Sequence, residues 1–168
     1  FGSDPNAKVT KKSKSPLSFH PIALIFGLLS FVSYLVEGAV GDWSALYLFE
    51  DKGILIEEAV MGVMLFNGTM CIGRLLGNRL GKHLTSKQVV VGGYLLGSIA
   101  MGLIVFLPGH ASMYTYLLLG ISLAMIVPNL FSAMGEQNVI PMTQAVATST
   151  MLGYMGILLG PALVGFIA

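Results

Sequence analysis

Residues 88–135 form a run of 48 positions without a single Asp, Glu, Lys or Arg, and residues 137–168 form a second run of 32. A membrane-spanning helix needs about 20 apolar residues, at ~1.5 Å rise each, to cross a hydrocarbon core ~30 Å thick. The longer run is therefore sized for two spans and a tight turn. The rest of the chain agrees, with 55% hydrophobic and only 10% charged residues among 168. An average soluble domain carries roughly 25% charged residues. A water-soluble enzyme is excluded by this pattern, and a net charge of +1 offers no basic face for nucleic acid. The expected partner is the lipid bilayer.

Five spans follow from the hydrophobic runs, at about 21–48, 59–77, 89–107, 113–132 and 143–168. Pro21 suits a first helical turn, and Glu57 and Glu58 suit the positive N-terminal end of the second span. Ahead of the spans, residues 1–16 are polar and carry Lys8, Lys11, Lys12 and Lys14, which predicts a disordered basic linker. Lys and Arg mark the cytoplasmic side of short loops. The linker and the loop 78–88, with Arg79, Lys82 and Lys87, fall on one side when the spans alternate, so both are expected to be cytoplasmic. An apolar end after five spans reads as a fragment of something longer.

The first span is the informative one. Ser30, Ser33, Tyr34, Glu37, Gly41 and Ser44 recur at three- and four-residue spacing and so share one helical stripe. Glu37 lies about 16 residues past Pro21, roughly 24 Å into the core at ~1.5 Å per residue. A carboxylate at that depth is costly unless it faces a cavity, a partner or a proton. It is either held neutral or paired for packing alone, or it carries protons or binds substrate. Asp42 lies about 140° around the helix from Glu37 at ~100° per residue, which argues against a paired acid–base site. Trp43 reads as an interface anchor before it reads as a stacking surface.

On the second span, Asn67, Cys71, Arg74 and Asn78 share a face. Arg74 either snorkels to the interface or clamps a neighbouring helix end, and Cys71, between Met70 and Ile72, reads as an inert core thiol. On the fifth span, Ser149, Gly153, Gly156 and Gly160 lie on one face, followed by Pro161. Small residues at this spacing let helix backbones approach closely in lipid. Gly93 and Gly97 repeat the device in the third span, and Pro128 and Pro161 predict kinks. His20, His83 and His110 are too scattered for a ligand set. No metal site and no cofactor motif is present in the sequence.

Gly73, Arg74, Asn78, Arg79, Gly81 and Lys82, in a loop between two spans, resemble the loop motif of the major facilitator superfamily. Asn78 stands where the family has Asp. The stretch from Glu37 through Gly41, Asp42 and Trp43 to Leu48 is similar to the seventh helix of a MosC-like bacterial branch. Pro128 with its flanks is similar to the tenth helix of that branch, and Gly153, Tyr154, Gly156, Gly160 and Pro161 to the eleventh. The resemblance implies an all-α integral membrane fold, with helices seven to eleven of a C-terminal six-helix bundle. It implies a missing N-terminal six-helix half and a missing twelfth helix. It also implies a secondary transporter of a small, sugar-like solute, coupled to protons, in a bacterial inner membrane. Ser33, Tyr34, Glu37, Gly41 and Asn67 are then the expected substrate and proton pathway, and a non-transporting scaffold or sensor is the alternative.

Overall fold

The computed structural model describes Leu17, residues 19–80 and residues 84–167, the side chains of 78–80 excepted. The linker 1–16 and the loop positions Gly81, Lys82 and His83 lie outside the described residues, as do the side chains of Asn78 and Arg79. Five helices account for nearly all of the rest: α1 (Pro21–Glu50), α2 (Ile56–Leu80), α3 (Ser86–Phe106), α4 (Gly109–Glu136) and α5 (Met142–Ile167). All five are long and apolar enough to cross a membrane, and the described residues include no strand.

The helices begin or end several residues outside the apolar runs. Their polar ends are satisfied by local chemistry, so the backbone has no reason to stop where hydrophobicity does. His20 Nδ1 accepts from the Ile22 N–H at the start of α1. Thr85 and Gln88 form a reciprocal capping box at the start of α3. At the other end of α3, Ser112 Oγ donates to the Ile104 carbonyl at 2.7 Å, and Lys52 Nζ donates to the Val105 carbonyl at 2.6 Å. Those carbonyls would otherwise be orphans of the helix terminus.

Helix α4 is the hub. Half of its most apolar window is buried, against 28% or less for each of the other four. It packs along α2 and α3, while α1 packs chiefly along α5. Tyr116, Leu119, Ile126, Leu130 and Met134 of α4 join Leu48, Phe66 and Met70 in one buried cluster. Large apolar side chains such as Leu28, Leu75, Leu95, Phe106 and Leu158 point outward instead, as lipid-facing positions do.

The α1–α5 contact is a seam of small residues. A Cβ on Gly156 would run into the Phe31 carbonyl oxygen, and one on Gly160 into that of Leu35. Pro161 cannot supply the helical N–H for the Ile157 carbonyl, and this oxygen lies instead against Gly38 of α1. Trp43 Nε1 donates to the Pro161 carbonyl at 2.9 Å, which fixes the indole across the seam rather than leaving it a simple interface anchor. Deeper along the same contact, Ser30 and Ser149 are 2.6 Å apart, both buried, and Ser149 also donates to the Phe26 carbonyl at 3.3 Å. Interhelical hydrogen bonds in lipid average about 0.6 kcal/mol. Ser149→Ala should therefore lower unfolding free energy in mixed micelles by about 1 kcal/mol, counting the partner it leaves buried. An unchanged unfolding midpoint would show that the serine pair contributes only shape.

Candidate functional site on the α1–α2–α5 face

Glu37 and Arg74 meet. Arg74 Nη2 of α2 stands 3.4 Å from Glu37 Oε2 of α1, with the guanidinium side chain 44% exposed and the carboxylate side chain 24%. Neither expectation for Arg74 describes this: the side chain reaches across to the first helix instead of toward the interface or a helix end. The contact is single and longer than the ~2.7–2.9 Å of a tight charge-assisted bond. The pair is therefore loose and open on one side.

Beside it lies an aromatic step. Tyr34 of α1 and Tyr154 of α5 stack with ring centroids 6.2 Å apart and planes 8° from parallel. Gly153 makes the room: a Cβ there would strike the Tyr34 ring. The small residues of α5 thus serve the site as well as the seam. Tyr154 is 62% exposed, so one of the two aromatic faces remains available on the same side of the bundle.

The other expected pathway residues divide. Gly41 is exposed with open space where a side chain would be, one turn from Glu37. Asn67 is exposed on α2, with its amide donating to the Val63 carbonyl of its own helix at 3.0 Å. Ser33 is buried and lies 2.8 Å from the Tyr94 hydroxyl, which itself donates to the Leu29 carbonyl at 2.6 Å. Ser33 therefore belongs to the α1–α3 contact. Ser30 is taken up by α5, and Ser44 donates to the Val40 carbonyl of its own helix. The polar stripe of α1 is thus divided among three neighbours and does not line one cavity. Cys71 is exposed rather than in the core, because its apolar flanks Met70 and Ile72 lie on other sides of the helix.

A second polar region lies toward the end of α2. A cavity of about 450 Å³ is bordered by Arg74, Thr85, Ser86, Asn129, Ser132 and Glu136 among others. Glu136 accepts from Ser86 Oγ at 2.7 Å. His110 lies 2.8 Å from Glu58 and joins the first turns of α4 and α2. No group of three His, Cys, Asp or Glu side chains able to hold a metal occurs among the described residues.

Comparison with known proteins decides the family. The chain is 40% identical over 148 residues to an uncharacterized MFS-type transporter of Yersinia pestis, a match that covers 86% of this chain. The chain belongs to the major facilitator superfamily. It is also 31% identical to the membrane protein MosC of Rhizobium meliloti and 29% identical to an uncharacterized transporter of Sinorhizobium fredii, each over 86% of its length. It spans only 36–38% of the length of these relatives, and the match falls in their C-terminal part. No protein-family model and no solved structure matches it. This superfamily chain is an integral membrane protein with transporter relatives, as its five apolar helices require.

Proposed function

We propose that the chain is the C-terminal half of a secondary transporter that moves a small, sugar-like solute coupled to protons by alternating access between two halves. The observation that supports this most is the Glu37–Arg74 pair, held at depth on a partly open face beside the Tyr34–Tyr154 stack. An acid and a base inside a bundle are expensive and are kept where a pathway needs them. The pair is electrically neutral as a unit, so it offers donors and acceptors to hydroxyl groups without demanding a charged ligand. The exposed Tyr154 ring supplies an apolar surface for the ring face of such a solute. Glu37 is the proton-carrying group, and Tyr34, Gly41, Asn67 and Arg74 complete the site. The protein is not an enzyme and uses no cofactor. The linker and the loop 78–88 face the cytoplasm of a bacterial inner membrane, the missing N-terminal half supplies the opposing wall of the cavity, and a twelfth helix completes this half.

The test uses the full-length protein in vesicles loaded with a pH-sensitive dye. Neutral monosaccharides and disaccharides are added one at a time. At least one should drive proton movement above that of protein-free vesicles and should exchange against its own labelled form. Vesicles in which no sugar moves protons or exchanges would return the bundle to a scaffold or sensor role.

A further inference from the structure

We propose that a groove between α1 and α5, bordered by Asp42, Trp43, Leu46, Pro161, Gly165 and Phe166, binds a small organic cation with an apolar flank. The proposal does not rest on the role given to Glu37, which lies about 140° away around α1 and does not border the groove. Asp42 sits eight residues before the end of α1 at Glu50, about 12 Å inside it at ~1.5 Å per residue. Its side chain is exposed and pairs with none of the described residues. The described cations are engaged elsewhere or distant. Arg74 meets Glu37, Lys52 donates to the Val105 carbonyl, and His110 meets Glu58. His20 and Lys87 stand at the starts of α1 and α3, the opposite end of the bundle. A carboxylate at membrane depth is costly without a partner, so Asp42 calls for a cation from outside these five helices.

Trp43 decides what kind of cation. Its Nε1 donates to the Pro161 carbonyl at 2.9 Å, and a Cβ on Gly165 would strike its six-membered ring. The indole is therefore held against α5 with its one donor already used. What remains to it is a π face, and Trp attracts ammonium groups more strongly than the other aromatic residues. Phe166, 91% exposed, and Leu46 extend the apolar wall. An inorganic cation needs several oxygen ligands, whereas Asp42 carries the one side-chain carboxylate among the described lining residues. The groove measures about 630 Å³, within the ~300–1,000 Å³ of small-molecule sites. That is more than one basic side chain of a docking segment would fill. A phosphatidylethanolamine headgroup carries an ammonium too, but its phosphate would bring a negative charge toward Asp42, and no described lining residue could receive it. A free organic cation meets no such conflict.

The probe is benzyltrimethylammonium, which joins a fixed positive charge to one aromatic ring. The full-length protein, in a neutral maltoside detergent at low ionic strength, is titrated with it by calorimetry. Asp42→Asn should weaken binding about tenfold, the loss of one close charge, and Trp43→Leu about fivefold, the loss of the π face. Glu37→Gln should bind as the parent does. No binding by the parent, or an Asn variant that matches it, would overturn the proposal. So would a loss of binding in Glu37→Gln that Asp42→Asn does not share, since the cation would then sit at the transport site. A second readout does not depend on how well the Asn variant folds. With the native cysteines replaced, Ala162→Cys on the α5 wall of the groove is labelled with N-ethylmaleimide. Probe at ten times its Kd should slow labelling about tenfold by occupancy alone. A thiol indifferent to the probe, or one that never reacts because another segment covers the groove, would overturn the site. Phosphatidylethanolamine added to the micelles should leave probe affinity unchanged; competition by the lipid would give the groove to a headgroup and overturn the free cation.

Discussion

In vesicles holding the full-length protein, Glu37→Gln should abolish solute accumulation driven by a pH gradient while leaving exchange of labelled for unlabelled solute nearly intact. Gln has the shape of Glu, can still accept a hydrogen bond from Arg74, and cannot take up or release a proton. Each pH unit of gradient is worth about 1.4 kcal/mol, or tenfold accumulation, to a carrier that moves one proton per solute. The variant should lose that factor entirely, since its carboxamide is neutral in every conformation. Exchange needs only binding and reorientation, and a half-exposed Arg74 loses little when its loose partner becomes neutral. Accumulation in the Gln variant with the proton dependence of the parent would take Glu37 out of the mechanism.

Gly156→Leu should fail to accumulate as folded protein. The Cβ alone would enter the space of the Phe31 carbonyl, and backbone cannot rotate aside as a side chain can. Overpacking in a well-packed core costs typically 1–3 kcal/mol, and a backbone-to-backbone contact belongs at the top of that range or above it. Gly92 is the control: it is exposed and has open space around it. Gly92→Ala should be neutral or stabilising by about 0.5–1 kcal/mol, the ordinary helical difference between the two residues. Yield and thermal unfolding in detergent distinguish the two sites. A Gly156→Leu protein that melts with the parent would mean that α1 and α5 do not meet at this glycine.

The five helices were legible because crossing a hydrocarbon core sets a length and a composition that few other structures share. Their ends were less so. The polar residues 109–112 carry α4 past its apolar stretch because His110 and Ser112 find partners in Glu58 and in the Ile104 carbonyl. Glu37 stood out in the sequence through the cost of its depth. Arg74 could have been matched to it by depth alone. Glu37 lies 13 residues before the end of α1 at Glu50, and Arg74 lies 18 residues after the start of α2 at Ile56. At ~1.5 Å per residue these differ by only about 8 Å along the bundle, within the combined reach of two long side chains. Helical periodicity within one span says nothing about which neighbour a face meets, and so the fates of Ser30, Ser33 and Ser44 could not be read from their shared stripe. The small-residue face of α5 was readable because close approach has few other uses in lipid, but its service to the Tyr34 ring depended on where α1 stood.

The principal partner of α1 is α5, the last of these five helices to leave the ribosome. During synthesis, residues emerge at roughly 5–20 per second, so α1 waits seconds in the membrane with its seam uncovered. Its carboxylate is better provided for, since Arg74 emerges in the very next helix. The first two helices can therefore enter the bilayer as a charge-compensated hairpin long before the glycine seam closes. A nascent chain halted after α4 should hold Glu37 safely and still present Phe31 and Leu35 to whatever insertase or chaperone guards unfinished membrane proteins.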